Sequence, residues 1–518
     1  MKKLPIGEQS FQKIREQDML YVDKTERIHE LVMGSPYIFL SRPRRFGKSL
    51  TLSTIGHLFS GEQHLFEGLW VHDRWDWSQQ LPVIKIPFNR IGYATLGLET
   101  ALQQVVLEHA KKYNIPLEAT KYDQQLQELI LKLAQSHGPV VLLIDEYDKP
   151  LIDYLEKAEL PTAYAHRKIL KAFYGSLKDD AVQKAMRFLM ITGVSKFSQV
   201  SIFSDLNYLD DVTFGKSQNT MVGYTQAELE QFFPEHLESL QGNFPEYSPE
   251  QLLEQIRMWY NGYRWNGETT VYNPFSILLL FQHQEFRDYW FKTGTPTFLM
   301  TKIREARTFE LNDLRVNQSL FESYDLENMD VRSLLFQTGY LTVKHYDRSR
   351  RIYTLDYPNR EVEESMHNHL MALLLHRQPA DSTGPVLLLN EAFQGNDPAR
   401  AVMVINSMLK DVPTLLLDAK DEHFYHALVH LLFRYLGLFI DSEVHTSDGR
   451  MDAVVKTAEH IFILEFKLDE SAEAAMQQIR DKDYAARYRL DGKAMVGMGI
   501  NFGSGRKSVE GWKAEALD

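Results

Sequence analysis

The residues with the clearest chemical potential lie near the N-terminus, in the segment Ser41-Arg42-Pro43-Arg44-Arg45-Phe46-Gly47-Lys48-Ser49. The segment follows a short apolar run and precedes residues with helical spacing. A loop in that position binds phosphate through backbone amides, with a lysine on the β/γ oxygens and a hydroxyl on Mg²⁺. We therefore expect Lys48 to contact the phosphates of ATP and Ser49 to bind Mg²⁺. The loop is unusual because Arg42 stands where the first glycine is expected. The candidate nucleotide-binding residues are Arg44, Arg45, Phe46, Gly47, Lys48, Ser49 and Leu50.

Two acids follow a second apolar run, Val140-Val141-Leu142-Leu143-Ile144-Asp145-Glu146. Carboxylates at the end of a buried strand match a Walker B motif, in which Asp145 joins the magnesium shell and Glu146 polarises the attacking water. A third apolar run ends at Thr192, which is either a γ-phosphate sensor or an ordinary strand terminus. Transition-state charge could come from Lys196, Arg42, Arg44 or Arg45, and the sequence does not choose among them.

A second group of charged residues lies near the C-terminus. Glu465 and Lys467 are two apart in an apolar run, so a strand carries them on one face, and a hairpin can bring Asp452 beside them. Asp452 and Glu465 would then hold Mg²⁺ or Mn²⁺ while Lys467 orients the attacking water. Glu443 is a candidate third carboxylate ligand, and Gln478 could face the same pocket. The alternative is a hairpin with a surface salt bridge.

Three histidines, His423, His426 and His430, have the spacing of one helix face. This spacing is compatible with a zinc cluster. Because no carboxylate lies at ligand spacing among them, we favour packing or surface roles.

The elements that position these residues follow from apolar periodicity. Strands are predicted at Tyr37–Leu40, Val83–Phe88, Val140–Ile144 and Phe188–Thr192, with room for crossover helices between them. That alternation indicates a parallel sheet in an α/β domain.

The middle of the chain is predicted to be helical. Thr225 and Ser248 each begin a capping box, and Asn273-Pro274 is a helix start. A helix from about Asp330 to Gly339, followed by two extended segments, suggests a winged helix. In the C-terminal third we expect a helix over about His423–Leu436, three strands, a helix around Ala472–Tyr488 and a strand near Ala494–Ile500.

Length and composition limit the number of domains and the classes of function that are possible. At roughly 100–200 residues per domain, 518 residues suggest three domains, which we assign to 1–222, 223–390 and 391–518. The absence of cysteine excludes disulfides and thiol chemistry. The net charge of −13 requires any contact with DNA to come from a local basic patch. Neither a signal peptide nor a membrane-spanning run is found, so we expect a cytoplasmic protein without membrane contact.

The motifs resemble those of known families. Arg42-Pro43-Arg44-Arg45-Phe46-Gly47-Lys48-Ser49, Ile144-Asp145-Glu146-Tyr147-Asp148 and Ile191-Thr192-Gly193-Val194-Ser195-Lys196-Phe197 resemble the bacterial AAA-ATPase-like family, whose loop itself lacks the first glycine. The C-terminal hairpin resembles the PD-(D/E)XK nuclease superfamily, which implies a metal site at Asp452, Glu465 and Lys467. These resemblances imply a P-loop NTPase sheet domain and a restriction-endonuclease-like α/β domain. With the helical and winged-helix middle predicted above, they complete the expected architecture.

The leading hypothesis is an ATP-binding and ATP-hydrolysing module, dependent on Mg²⁺, fused to a metal-dependent DNA endonuclease. Residues of the basic patch would be Arg480, Lys482, Arg487 and Arg489, although a solvated helix face explains them almost as well. The rival hypothesis is a nucleotide-switched regulator that binds DNA or protein without cutting. The sequence leaves the oligomeric state open, including a homo-oligomer.

Overall fold

Apolar runs form a parallel sheet in the N-terminal half of the chain, as a computed structural model shows. Its strands are β1 (Tyr37–Ser41), β2 (Val83–Pro87), β3 (Val140–Asp145), β4 (Met186–Gly193) and β5 (Asp210–Asp211). The strand order is β2-β3-β4-β1-β5, and each pairing is parallel. The predicted α/β domain with a parallel sheet is therefore confirmed.

The structure describes residues 1–196, 203, 206, 208–215, 217–265, 269–291, 297–306, 308–322, 330–375, 383–410, 431–437, 441–447, 450–503 and 508–517. Within these ranges the side chains of 217, 297, 298, 322, 374, 375, 383, 441–447, 450–452 and 487 are not described. The chain divides into two units, one formed by Met1–Leu299 with Leu311–Val362 and the other by Met300–Glu310 with Glu363–Asp518. The three-domain division predicted from the sequence remains a proposal.

Helices cover both faces of the parallel sheet. Alternate residues of β3 enter different cores: Leu142 and Ile144 pack on one face, and Val141 and Leu143 pack on the other. Burial on both faces explains why the strands read as continuous apolar runs. The described helices are Phe11–Glu16, Thr25–Gly34, Lys48–Phe59, Tyr93–Leu96, Leu98–Lys112, Tyr122–His137, Lys149–Ile152, Leu160–Gly175, Asp180–Ala185, Gln226–Phe232, Pro234–Asn243, Pro249–Tyr260, Pro274–His283, Thr297–Ala306, Val331–Thr338, Arg360–Leu375, Thr383–Gln394, Pro398–Lys410, 431–436 and Ala472–Asp481. None of these described helices is long and apolar enough to cross a bilayer.

Three helices in the middle of the chain begin at the predicted capping residues. Thr225 and Ser248 each form both hydrogen bonds of a capping box, and the Asn273 side chain accepts from the amides of Phe275 and Ser276. Each cap satisfies amides that the first helical turn leaves free.

The predicted helix and hairpin of the wing are present. The helix Val331–Thr338 ends at Gly339, and the hairpin consists of β7 (Thr342–Asp347) and β8 (Ile352–Asp356). A third strand, β6 (Leu314–Asn317), pairs with β8. The sequence did not indicate β6, because it is short and only Val316 is buried in it.

The C-terminal unit is built on a second sheet. Its strands are β9 (Asp441–Ser447), β10 (Arg450–Lys456), β11 (His460–Leu468), β12 (Ala494–Gly503) and β13 (Ser508–Leu517), in the order β13-β12-β11-β10-β9. Only the β11–β12 pairing is parallel among these described strands. This mixed sheet, together with the helix Ala472–Asp481, confirms the predicted second α/β domain.

One C-terminal prediction is wrong, and one C-terminal strand was not predicted. The helix predicted to reach Tyr488 ends at Asp481, because Asp483 adopts a left-handed conformation at φ 45° and a 3₁₀ helix follows at Tyr484–Asp491. The sequence also gave no sign of β13, whose half-exposed residues mix charged and small side chains at the sheet edge.

A buried carboxyl group lies where the helix Arg360–Leu375 begins. Glu361 has no exposed surface and accepts hydrogen bonds from the Ser276 hydroxyl at 2.8 Å and the Trp290 amide at 2.5 Å. Burial raises the pKa of Glu361 to about 8. The folded protein therefore keeps this carboxyl largely protonated at neutral pH.

Glu361 predicts a pH-dependent stability. An unfolded glutamate has a pKa of about 4.3, so between that value and about 8 only the folded state holds the proton, and stability falls as pH rises. The Glu361→Gln side chain cannot ionise. The unfolding free energy of this variant minus that of wild type should therefore increase with pH, by up to about 1.4 kcal/mol per pH unit between pH 5 and 8. Urea unfolding across this range tests it, with exposed Glu246→Gln as the control. A difference from wild type that does not change with pH would contradict it.

Candidate functional site

The loop after β1 turns its backbone sharply twice. Arg45 and Gly47 adopt positive φ angles of 71° and 101°, and Gly47 caps the helix Lys48–Phe59. Left-handed residues alternating in a loop turn successive amides toward one side, which creates a concavity for an anion at the helix N-terminus. This is the conformation that the predicted phosphate-binding loop requires.

A cavity of about 380 Å³ lies beside this loop, within the volume range of small-molecule sites. One wall contains Glu146, and another is apolar, with Pro274, Phe275 and Leu278. The predicted loop residues that line the cavity are Arg44, Arg45, Gly47, Lys48, Ser49 and Leu50.

Lys48 is held inside the loop. Its side chain is 6% exposed, and its ammonium donates to the carbonyls of Arg42 at 2.7 Å and Pro43 at 2.8 Å. Burial lowers the pKa of Lys48, and the nearby carboxylates of Asp145 and Glu146 act in the opposite direction. The Lys48 ammonium thus lies at the cavity wall, hydrogen-bonded to two carbonyls. An anionic acceptor forms stronger hydrogen bonds and can replace these carbonyls.

The strand ends bring Asp145 and Thr192 together. The Thr192 hydroxyl donates to Asp145 Oδ1 at 2.7 Å, and both side chains are buried. Thr192 does not line the 380 Å³ cavity, and its hydroxyl instead fixes the orientation of the Asp145 carboxylate. Its predicted role as a γ-phosphate sensor remains a prediction.

The residues after β3 are also constrained. Glu146 adopts φ 54° and faces the cavity, where burial raises its pKa and Lys48 acts to lower it. Asp148 is fully buried and accepts from the amides of Val194 and Ser195 and from the Ser195 hydroxyl, at 2.7–3.0 Å. Asp148 ties the chain after β3 to the chain after β4. Sequence reasoning assigned it no role, although its place in Asp145-Glu146-Tyr147-Asp148 was a signal.

Arg42 has a structural role that the sequence did not reveal. Its guanidinium is fully buried and donates to the carbonyls of Ser41 and Thr213 at 2.8 Å and Gln218 at 3.1 Å. It also lies 4.0 Å from the ring centroid of Trp265. Burial lowers the pKa of Arg42 to about 9. Arg42 therefore joins the base of the loop to distant segments and does not face the cavity.

The four candidate sources of transition-state charge differ in whether they line the cavity. Lys196 pairs with Asp211 at 2.5 Å and does not line the cavity, and Arg42 also points elsewhere. Arg44 and Arg45 do line the cavity, and the Arg45 guanidinium lies 4.9 Å from the ring centroid of Phe275.

The middle of the chain holds the loop from outside. The Phe46 ring contacts Tyr263 and Trp265, with centroid distances of 4.8 and 5.6 Å, so only the Phe46 backbone is available to a phosphate. The Phe46 carbonyl accepts from the Gly223 amide at 3.1 Å. The Trp290 indole donates to the Arg44 carbonyl at 3.1 Å. Sequence reasoning missed these contacts because their partners are far apart in the chain.

The C-terminal candidate site lies on neighbouring strands. Asp452 of β10 is directly opposite Glu465 of β11, which is fully buried. The Lys467 ammonium is 3.7 Å from Glu465 Oε1 and donates to Gln478 Oε1 at 2.8 Å. Glu443 belongs to β9, where it pairs with Val454. The side chains of Asp452 and Glu443 lie outside the described residues, so their predicted metal binding remains a prediction.

Two other C-terminal predictions concern the histidine cluster and the basic patch. His423, His426 and His430 lie outside the described residues. Arg480 contacts Glu515, and Arg489 pairs with Asp483 at 2.9 Å, which favours the solvated-face interpretation of the proposed basic patch. Among the side chains that the structure does describe, no group of three histidines or acids forms a metal site.

Comparisons with known proteins match two separate parts of the chain. Residues 5–203 match the family described as a predicted AAA-ATPase. A protein of Azotobacter chroococcum mcd 1, described as an uncharacterized protein in the vnfD 5′ region, is 38% identical over 529 residues and covers 100% of this chain and 99% of that one. The chain belongs to the same family as this Azotobacter protein, and its residues 5–203 form a predicted AAA-ATPase-like domain. Residues 420–512 of this AAA-ATPase-like chain match the PD-(D/E)XK nuclease superfamily. Both resemblances stated from the sequence are confirmed.

Two solved structures also align with the AAA-ATPase-like chain. The Aeropyrum pernix ORC2 protein (ADPNP-ADP complexes) aligns with 67% of this chain and 92% of its own, at 12% identity and a TM-score of 0.27. The Aeropyrum pernix ORC1 protein in complex with DNA aligns with 67% and 91%, at 10% identity and a TM-score of 0.25. Both likenesses are too weak to carry an argument.

Arg42 generates a prediction about the AAA-ATPase-like loop. Arg42→Gly supplies the glycine of the usual motif but leaves three carbonyls without their buried donor. The substitution should therefore destabilise the protein by about 3 kcal/mol. Urea unfolding measures this loss, and Arg44→Gly, which removes a partly exposed arginine of the same loop, is the control and should cost less. An Arg42→Gly variant as stable as wild type would contradict the role given to Arg42.

Proposed function

We propose that the first unit binds Mg²⁺·ATP in the 380 Å³ cavity and hydrolyses ATP, and that the C-terminal domain is a Mg²⁺- or Mn²⁺-dependent DNA endonuclease under nucleotide control. The observation that carries the proposal is that Lys48, Ser49 and Glu146 line one cavity, while Asp145 lines the cavity that adjoins it. A phosphate-binding loop and a water-polarising carboxylate are the two parts that ATP hydrolysis needs.

Each part of the ATP site has a chemical role. The amides of the loop receive the phosphates, and Lys48 exchanges the carbonyls of Arg42 and Pro43 for β/γ oxygens. Ser49 and Asp145 offer the oxygen ligands that fit Mg²⁺. When bound, Mg²⁺ neutralises charge on the phosphate oxygens. Glu146 orients the attacking water.

Two further features suit an adenine nucleotide. The apolar wall of Pro274, Phe275 and Leu278 is suited to the adenine ring. Arg44 and Arg45 are available at the cavity to stabilise charge that develops on the transferred phosphoryl group.

Substitutions separate ATP binding from turnover. Lys48→Ala should weaken ATP binding by roughly 10–150-fold, since it removes a charge-assisted contact of about 1.5–3 kcal/mol. Glu146→Gln should bind ATP normally and lose turnover by roughly 10²–10⁴-fold. Calorimetric titration and a phosphate-release assay measure the two effects.

A matched control is Lys149→Ala. Lys149 lines the same cavity, but its ammonium is paired with Asp153 at 2.9 Å, so binding and turnover should remain near wild type. Normal ATP binding by Lys48→Ala would mean that the loop is not the nucleotide site.

The proposed nuclease chemistry rests on the environment of Glu465. A carboxylate buried in a strand and a lysine 3.7 Å away are costly to keep unless they serve a site or a specific pair. Asp452 and Glu465 are the ligands that would hold the cation, whose chemistry is to activate water and stabilise the phosphodiester oxygens. Lys467, oriented by Gln478, positions the water. DNA is the proposed substrate.

Cleavage of plasmid DNA tests this assignment. With Mn²⁺, wild type should cut, and Asp452→Ala and Lys467→Ala should reduce the rate by roughly 100-fold or more. Lys513→Ala removes a surface cation of the same domain that pairs with Glu473, and it should cut normally. Gel analysis of supercoiled and nicked DNA gives the rates. Unchanged cleavage by both site variants would remove the assignment, and no cleavage under any metal or nucleotide condition would favour a regulator that binds without cutting.

A further inference from the structure

A second cavity, of about 290 Å³, adjoins the candidate ATP site. It lies between the helix Lys48–Phe59 on one side and β2 with its following loop on the other. Ser49 and Asn89 line both cavities, and Asp145 lines the second one. The second cavity therefore begins at the residues proposed to hold Mg²⁺.

Lys85 gives this cavity its charge. It lies on β2 beside Leu143 of β3, and its ammonium has no hydrogen bond or ion pair within the described part of the chain. Burial lowers the pKa of Lys85, the direction expected of an ammonium that lacks a paired anion. A Cβ at Gly56 would lie 2.6 Å from Lys85 Nζ, so the glycine leaves the space that the ammonium occupies.

The acids around Lys85 contact other residues and do not pair with it within the described part of the chain. Glu62, whose charge acts to raise the pKa of Lys85, lies 3.0 Å from His57. Glu8 pairs with Lys13 and accepts from the amides of Gln9 and Ser10 at 3.0 Å. Asp145 accepts from Thr192, as described above. Because none of these carboxylates pairs with Lys85, its ammonium is available to an anion in the cavity that Lys85 lines.

Other polar side chains that line this cavity provide hydrogen-bond donors and one hydrogen-bond acceptor. Arg90 is exposed and donates to Gln9 Oε1 at 3.0 Å, and His57 lies 3.0 Å from Glu62. Asn89 Oδ1 is buried without a hydrogen-bond partner in the described residues. A ligand that carries negative charge and also donates one hydrogen bond would satisfy both Lys85 and Asn89.

We propose that this cavity binds the inorganic phosphate released by ATP hydrolysis. The proposal rests on the proposed function of the first unit. Hydrolysis joins a water oxygen to the γ-phosphorus, breaks the bridging P–O bond to ADP and releases a proton. The product is a free phosphate ion beside Ser49 and Asp145. At neutral pH this ion is anionic and keeps at least one P–OH group, so it matches the ammonium and the amide oxygen, whereas a carboxylate lacks the donor.

Equilibrium dialysis of radiolabelled inorganic phosphate against the full chain, saturated with Mg²⁺·ADP, tests the proposal. Wild type should bind one phosphate. Lys85→Met should bind it at least 10-fold more weakly, and Lys85→Gln, which keeps a polar group but no charge, serves if the first variant does not fold. Lys112→Met removes a nearby exposed lysine that does not line the cavity, and it should bind like wild type. Retained Mg²⁺·ADP binding and an unchanged thermal midpoint show that the variants are folded.

Three results would overturn the phosphate site. The first is equal phosphate affinity in Lys85→Met and wild type. The second is no phosphate binding to a chain that binds Mg²⁺·ADP. The third is displacement of phosphate by an equal concentration of acetate, which would make this a carboxylate site. Failure of the chain to bind Mg²⁺·ADP at all would instead contradict the proposed function, and dialysis without nucleotide would still decide whether phosphate depends on Lys85.

Discussion

The register of β4 between β1 and β3 is the constraint on which the candidate ATP site depends. β4 pairs in parallel with both neighbours, so that Ser41 is opposite Gly193 and Ile144 is opposite Ile191. The three strands therefore end at the same edge, where the loop, the two acids and Thr192 emerge together. Because side chains alternate along a strand, a shift of one residue would turn Thr192 away from Asp145. The arrangement of the candidate site is thus a consequence of backbone pairing.

The loop is a joint product of the sheet domain and the middle of the chain. Arg42, Phe46 and the Arg44 carbonyl each bond or pack against residues far along the sequence, including Trp265 and Trp290. In the proposed ATP-bound state Lys48 changes partners, and any accompanying movement of the loop would be transmitted directly to these residues. The contacts would thereby let the middle of the chain respond to the nucleotide, which a loop exposed to solvent would not provide.

Local patterns explain what could be predicted from the sequence. The strands of the first sheet are apolar runs bounded by polar residues, and the caps at Thr225 and Ser248 involve residues three apart. Both kinds of signal lie within a few neighbouring residues. The loop and the acids at Asp145 and Glu146 could be predicted for the same reason, since each follows an apolar strand.

The features that sequence reasoning missed depend on distant partners. In the sequence Arg42 is only a departure from a motif, and its role becomes visible when Thr213, Gln218 and Trp265 surround it. β13 lacks an apolar run because it lies at a sheet edge and packs only partly. Lys85 lies in an apolar strand, and its neighbours in the sequence do not indicate a binding site. Its proposed role follows from the folded chain, where its ammonium has no partner among the described residues.

A crystal structure of the protein with Mg²⁺ and a non-hydrolysable ATP analogue tests the central claim most directly. We predict phosphate oxygens on the amides of residues 44–50, the Lys48 ammonium moved from the carbonyls of Arg42 and Pro43 onto the phosphates, and Mg²⁺ beside Ser49 and Asp145. A nucleotide bound elsewhere, with Lys48 still on both carbonyls, would contradict it.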